Sequence, residues 1–139
     1  MKRVLQLQEP VGAVTCPARL FDSVKKIRID HNQENFLLVT LDVGKRVIGT
    51  HILFIGGRSA LLIDPVTLFR RAILDNADSI ILAHNHPSGC LSPSEEDIKF
   101  HEQLASGARL LQIEVLDIVI FNETEYYSFS DEARIHRSP

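Results

Sequence analysis

Apolar and polar positions alternate along the chain with two periods, one typical of helices and one typical of strands. Residues 17–27 predict a helix with one stripe facing a core, because apolar side chains recur at helical spacing: Leu20, Phe21, Val24 and Ile27. Residues 35–42 and 46–55 are rich in β-branched and aromatic side chains and flank a turn at Gly44. We expect them to form the two strands of a hairpin.

The middle of the chain alternates strands with helices. Residues 60–63 form a short apolar stretch that predicts a strand, and Asp64 and Pro65 then begin a helix as its N-cap and first residue. The apolar stripe expected on this helix consists of Val66, Phe69, Ala72 and Ile73. Residues 79–83 are a continuous apolar run between two helices, which indicates a central strand buried on both faces.

A further helix and two strands complete the pattern. Ser92 is the expected N-cap of the helix, with Pro93 at its first position and Glu95 completing a capping box. Its expected inward face consists of Ile98, His101, Ala105 and Ala108. Residues 113–122 and 126–129 are predicted strands. The whole pattern predicts a mixed α/β sheet with helices packed on its faces.

Composition and charge narrow the class of protein. The chain has 139 residues, which fits one domain, and its net charge of −3 provides no general attraction to nucleic acids or anionic membranes. No apolar run is long enough to span a bilayer, and the first residues lack the apolar core of a signal peptide. The two distant cysteines suit a reducing compartment. We therefore expect a cytoplasmic protein with weak or no intrinsic DNA binding and no membrane association.

The most informative stretch lies where the central strand passes into the following helix. His84 and His86 are two residues apart at the end of this strand, so both imidazoles point to the same side if extended geometry continues. Ser94 and Asp97 are three residues apart in the first turns of the helix and share one of its faces. A short loop joins the two elements, so the four side chains can converge on one point.

Two imidazoles and one carboxylate form a ligand set that suits zinc. A set made of His84, His86 and Asp97 leaves a fourth tetrahedral position for water, which distinguishes catalytic zinc sites from closed structural ones. Zinc lowers the pKa of such a water towards about 7 and so supplies a nucleophile at neutral pH. Ser94 is positioned to donate a hydrogen bond to a developing oxyanion. The spacing therefore predicts a zinc site with hydrolytic chemistry.

The arrangement His84-x-His86-x7-Ser94-x2-Asp97 matches the JAMM motif of JAB/MPN domains. The sequence around it, above all the block from Ile80 to Gly89, resembles the RadC-like branch of that family.

The resemblance covers about residues 15–130, between a lead-in of residues 1–14 and a tail of residues 131–139. It implies a three-layer JAB/MPN fold of the cytidine-deaminase-like type, in which a mixed β-sheet is flanked by helices. It also implies a metallopeptidase or isopeptidase that acts on a protein or peptide substrate, with zinc held by the two histidines and the aspartate of the motif. The RadC name carries a DNA-repair label as well.

One residue of the family pattern has no obvious counterpart. JAMM domains carry a glutamate on an earlier strand as general base, and in the RadC-like branch this slot precedes the glycine turn, where His51 or Ile52 stands here. His51 is expected to act as the base or to occupy the fourth position on zinc, unless it is a solvent-facing strand residue. Glu34, on the neighbouring strand, is a second candidate for the base. Cys90 is a further alternative as fourth ligand.

Two functions from different classes fit these expectations. The first is a zinc-dependent hydrolase of the metallopeptidase or isopeptidase type. The second is a non-catalytic, metal-stabilised module that binds a protein or nucleic-acid partner and is linked to DNA repair. The missing glutamate favours the second function, whereas the complete ligand set and Ser94 favour the first. A nucleobase deaminase is excluded because the chain has neither a Cys-x-x-Cys nor a His-x-Glu signature.

Overall fold

The computed structural model describes residues 3–5, 17–24, 26–56 and 64–130. These residues form six strands and three helices: β1 (Arg3–Leu5), α1 (Pro17–Val24), β2 (Glu34–Leu41), β3 (Val47–Gly56), α2 (Pro65–Leu74), β4 (Ser79–Asn85), α3 (Glu95–Leu111), β5 (Glu114–Phe121) and β6 (Tyr126–Ser128). The strands make one sheet in the order β1-β3-β2-β4-β5-β6. β4 and β5 are parallel and are joined through α3, while the other neighbouring strands are antiparallel. The predicted mixed sheet is thus confirmed.

The side chains of the central strands alternate between two apolar cores, one on each face of the sheet. On one face, α2 and α3 cover residues such as Phe36, Leu38 and Leu82. On the other face, α1 covers the intervening residues, such as Leu37 and Ile81. The three-layer arrangement agrees with the expected fold. β4 is buried along its whole length, which confirms the prediction of a central strand.

The predicted hairpin is formed by β2 and β3, which pair in antiparallel fashion. β1 adds a further strand at the outer side of β3. The pattern of the lead-in did not indicate this strand, because three residues are too few to show a period of two.

The α2 helix turns part of the predicted stripe to the core: Phe69 and Ala72 are buried as expected, and Leu68 joins them in place of Val66 and Ile73. Leu68, Phe69 and Ala72 are buried, whereas Val66 and Ile73 are 59% and 56% exposed. Both sets of residues recur at helical spacing, so periodicity alone could not choose between them. The start of the helix agrees with the sequence, since its N-cap and first residue are the predicted aspartate and proline.

The α3 helix begins later than predicted. Its N-cap is Ser94 rather than Ser92, and Ser94 forms a capping box with Asp97. The sequence offers two serines of similar spacing, and the reciprocal bonds with Asp97 select the second one. Ile98 is 45% exposed. The inward face consists of Asp97, Phe100, Leu104 and Ala108.

The strand predicted for residues 60–63 and the tail of residues 131–139 lie outside the described residues. Among the helices of the described part of the chain, none has the length and apolar character needed to cross a membrane.

The C-terminal end of α2 is tied to the sheet by a buried pair. The Oδ2 atom of Asp75, the C-cap of α2, lies 2.6 Å from Nε2 of His51 and accepts a hydrogen bond of 2.7 Å from Oγ1 of Thr40. Gly49 leaves room for this pair, because an added Cβ would lie only 3.0 Å from Nε2 of His51. Burial alone would raise the pKa of Asp75, but the bonds from Thr40 and His51 lower it below its usual value.

We expect Asp75→Asn to destabilise the fold by about 1–3 kcal/mol at neutral pH, because a charged acceptor is lost to two buried donors. The folded-state pKa of Asp75 is depressed, so its stabilising contribution is present above the unfolded pKa of about 4 and is lost as pH falls through the folded pKa. Urea unfolding should therefore show a difference in stability between wild type and variant that narrows as the pH falls below about 4.

The matched control is Asp78→Asn, because Asp78 is a half-exposed aspartate close to the same helix end. It should change stability by less than about 0.5 kcal/mol. Equal losses in the two variants would contradict a specific role for the buried pair.

Candidate metal centre

The end of β4 and the start of α3 bring His84, His86 and Asp97 into one cluster. Each residue offers one ligand atom, and the three atoms lie within 4.8 Å of one another. Oδ2 of Asp97 is 2.9 Å from Nε2 of His86, and Oδ1 is 3.7 Å from Nε2 of His84. Two ligand atoms that each lie about 2.1 Å from a tetrahedral zinc are roughly 3.4 Å apart. The donors therefore lie close enough together to hold one metal ion.

His84 is held by the neighbouring strand. Its ring stacks on the ring of Phe36, with centroids 4.5 Å apart and planes 9° from parallel. The residue is 2% exposed. Burial lowers the pKa of His84 to about 4, although the nearby charge of Asp97 acts in the opposite direction. The imidazole is therefore neutral at physiological pH, which is the form that binds a metal.

His86 is oriented by the loop that follows it. Its Nδ1–H donates to the carbonyl oxygen of Cys90 over 2.8 Å, which leaves Nε2 directed at Asp97. The loop turns at Gly89, where φ is +78° and the N–H donates to the His86 carbonyl over 2.8 Å. The hydrogen bond with Asp97 raises the pKa of His86.

Cys90 therefore contributes its backbone carbonyl to the centre. Its thiol is exposed and does not belong to the cluster of possible ligand atoms. The alternative in which this thiolate is a fourth ligand has no support from the described residues.

Asp97 is positioned by the first turn of α3. Its Oδ2 accepts the backbone N–H of Ser94 over 2.9 Å, and Oγ of Ser94 accepts the backbone N–H of Asp97 over 3.0 Å. Burial alone would raise the pKa of Asp97, but the bond with His86, the charge of His84 and the Ser94 N–H together lower it to about 2. The carboxylate is thus ionised, and the exposed hydroxyl of Ser94 lies beside it with its own proton unused in this pair.

Glu34 approaches the cluster from the adjacent strand. β2 pairs with β4 so that Phe36 lies opposite His84, and Glu34 stands two residues before Phe36 at the same edge of the sheet. Burial raises the pKa of Glu34 to about 7, and its carboxylate also interacts with the charges of His86 and Asp97. A bound cation would act against the effect of burial and favour the ionised form. The fold thus brings the second candidate for the base within electrostatic reach of His86 and Asp97.

His51, the first candidate for the base, lies elsewhere. It stands on β3, which is separated from β4 by β2, and strands about 4.8 Å apart place the two backbones roughly 10 Å from each other. The residue is 3% exposed, and its Nε2 is engaged by Asp75. His51 therefore neither faces solvent nor points to the cluster. The prediction placed the base on β3, the strand before the glycine turn, whereas Glu34, the second candidate, stands on β2 beside the strand that carries the histidines.

The sequence contained one indication that Glu34 lies near the cluster, and it does not come from the spacing of residues within the JAMM motif. In an antiparallel pair, the start of one strand meets the end of the other. An acid that begins the strand next to the one ending in His84 and His86 is therefore expected at the same edge of the sheet. Recognising this requires knowing which strands are neighbours.

Residues 14–134 match the family model described as the RadC-like JAB domain. The chain belongs to the RadC-like JAB domain family. The resemblance inferred from the JAMM spacing is therefore confirmed.

Several curated proteins are similar to this RadC-like JAB domain. The chain is 33% identical to a UPF0758 protein of Methanosarcina barkeri, with 91% of the chain and 55% of that protein covered. It is 37% identical to a UPF0758 protein of Trichodesmium erythraeum, with 91% and 53% covered, and 46% identical to one of Synechocystis sp., with 69% and 40% covered. The chain thus spans about half the length, or less, of these relatives. Their names state no reaction, so the chemistry must be argued from the site.

We expect Ser94→Ala to destabilise the protein by about 1 kcal/mol, because α3 loses its N-cap hydroxyl. Its capacity to bind a metal ion should not change, because the backbone N–H that Asp97 accepts is still present in alanine. Urea unfolding and metal analysis of the purified variant measure the two effects.

The control is Ser92→Ala, which removes the hydroxyl that the sequence pattern favoured as N-cap. Its stability should stay within about 0.5 kcal/mol of wild type. A larger loss for Ser92→Ala than for Ser94→Ala would show that the cap is assigned to the wrong serine.

Proposed function

We propose that this RadC-like JAB domain is a zinc-dependent hydrolase of amide or isopeptide bonds, in which Glu34 is the general base. The observation that carries the proposal is the placement of the Asp97 carboxylate between the imidazoles of His84 and His86. A second acid, Glu34, stands on the neighbouring strand β2. In this proposal His84, His86 and Asp97 hold the ion. Bound zinc supplies a Lewis acid that polarises the scissile carbonyl and lowers the pKa of a water ligand to about 7.

The contacts of the protein's own residues support distinct roles. Glu34 accepts a proton from the attacking water on a carboxylate oxygen and delivers it to the leaving amine, and its partial burial limits competition from bulk water. The Cys90 carbonyl accepts the Nδ1–H of His86 and so fixes the ring with Nε2 towards the proposed ion, as partners of a ligating histidine commonly do. The hydroxyl of Ser94 donates a hydrogen bond to the oxyanion that develops on the substrate carbonyl.

The charge around the centre favours a protein or peptide substrate over a nucleic acid. Glu34 interacts with the charges of both Asp97 and Glu96, so acids border the site. Such a border repels phosphates, and the net charge of −3 provides no compensating attraction. We assign the reaction to the cytoplasm, a reducing compartment in which the exposed thiol of Cys90 would persist.

The non-catalytic alternative rested on the absence of an acid from β3. Glu34 supplies an acid from β2 instead, within electrostatic reach of His86 and Asp97. No observation on the described residues now favours a module without catalysis over a hydrolase.

The metal proposal predicts that the protein binds one zinc per chain and that variants of the cluster residues lose it. His86→Ala and Asp97→Ala should lower zinc affinity by at least about tenfold, because each removes a ligand or its partner. The measurement is metal content and zinc titration of protein purified without chelators.

His101→Gln is the matched control for these two variants. His101 stands on α3 and stacks on Phe129 rather than joining the cluster. The His101→Gln variant should still bind one zinc per chain. Equal zinc in wild type and His86→Ala would refute the metal site.

The base assignment predicts that Glu34→Gln keeps its zinc and loses hydrolysis. We expect kcat to fall on the order of 100- to 10,000-fold, the usual contribution of a general base, with little change in KM. Cleavage of a fluorescence-quenched peptide library, and of a peptide joined through a lysine side chain, would provide the assay.

His51→Gln controls for the loss of a buried polar residue. It removes the partner of Asp75, so it should reduce stability while leaving the kcat of the folded protein unchanged. A loss of kcat in His51→Gln as large as that in Glu34→Gln would contradict the assignment.

A further inference from the structure

Two asparagine side chains are buried beside the proposed centre. Asn35 and Asn85 are each 1% exposed. Asn85 stands between His84 and His86 in the sequence, so it is carried by the same strand end as the two imidazoles. A buried amide costs free energy unless its donor and acceptor are both paired. The partners of these two amides therefore show what the pair does.

The side chain of Asn85 continues the β2–β4 ladder beyond its last backbone pair. That ladder ends where Phe36 lies opposite His84. Beyond it, Oδ1 of Asn85 accepts the backbone N–H of Asn35 over 2.8 Å, and Nδ2 of Asn85 donates to the carbonyl of Gln33 over 2.8 Å. One planar amide thus supplies both an acceptor and a donor to the start of β2.

The two backbone groups that Asn85 binds flank Glu34. The Gln33 carbonyl belongs to the peptide unit before Glu34, and the Asn35 N–H belongs to the unit after it. Asn35 strengthens the same arrangement, because its Nδ2 donates to the Gln33 carbonyl over 3.0 Å and to Oδ1 of Asn85 over 3.2 Å. The backbone on both sides of the proposed base is therefore bonded to the strand end that carries the proposed ligands.

We propose that Asn85 is a positioning residue that holds Glu34 at the metal centre by binding the peptide groups on both sides of it. The inference rests on the proposed function, because it concerns the base of that reaction. Asn85 touches neither substrate nor ion, and it acts through Glu34.

The amide group explains why this position suits asparagine. Aspartate at position 85 would keep the acceptor for the Asn35 N–H but would set a carboxylate oxygen against the Gln33 carbonyl. Alanine would remove both bonds, which leaves the Asn35 N–H unpaired and the Gln33 carbonyl with only the bond from Asn35 Nδ2. The displacement of Glu34 should therefore increase from wild type through Asn85→Asp to Asn85→Ala.

The test uses Co²⁺ as the probe, because its visible absorption reports the geometry around the ion without any substrate. Wild type, Glu34→Gln, Asn85→Ala, Asn85→Asp and the double variant Glu34→Gln/Asn85→Ala would be titrated with Co²⁺. We expect each to bind one equivalent. Asn85→Ala should shift the spectrum in the same sense as Glu34→Gln and should cause no further shift in the Glu34→Gln background, since two residues acting as a unit are not additive.

Thr40→Val is the matched control, because Thr40 is a buried polar residue of the same strand that bonds to Asp75 instead. It should lower stability without changing the Co²⁺ spectrum. With the peptide assay, Asn85→Ala should lower kcat by about 10- to 100-fold and leave KM within about twofold of wild type. Asn85→Asp, which keeps one of the two bonds, should lie between wild type and Asn85→Ala in both measurements.

Two results would overturn the inference in different ways. If wild type does not bind Co²⁺, the metal centre itself is refuted, and the role of Asn85 with it. If all variants bind Co²⁺ and the effect of Asn85→Ala is undiminished in the Glu34→Gln background, the proposed function stands and Asn85 has only a structural role.

Discussion

The register in which β2 pairs with β4 is the constraint on which the centre depends. Phe36 lies opposite His84, and this pairing stacks an aromatic ring on the imidazole and brings Glu34 to the same edge of the sheet. A slip of one residue would turn each of these side chains to the other face of the sheet, because side chains alternate along a strand. Nearly every residue of both strands is buried, so the apolar core enforces the register that the site needs.

The acids of the structure differ in how their surroundings balance burial against hydrogen bonding. Asp97 receives donors from an imidazole and from the helix start, and these outweigh burial, so its pKa falls. Asp75 is similar, with Thr40 and His51 as its donors. Glu34 experiences burial and neighbouring acids, and its pKa rises. The environment of Asp97 and Asp75 suits a group that must remain charged, whereas that of Glu34 suits the role of the proposed base, which must exchange a proton.

The parts of the structure that could be predicted from the sequence are those determined over short distances along the chain. The convergence of His84, His86 and Asp97 followed from one strand end and one helix start. The choice between Ser92 and Ser94 as N-cap could not be predicted, because each serine has an acid three residues later that could complete a capping box. The surroundings of Glu34 and His51 could not be predicted either, for a different reason. Their environments are decided by strand order and by Asp75, which no local pattern reveals.

Cys90 has a backbone and a side chain that face different surroundings. Its carbonyl oxygen holds the ring of His86, while its thiol is exposed to solvent. Since the chain has only two cysteines, replacing Cys16 would leave this thiol as a unique point of attachment. A spin label or fluorophore fixed there would lie on the loop whose carbonyl binds the His86 ring, so its signal could report metal binding at the proposed centre.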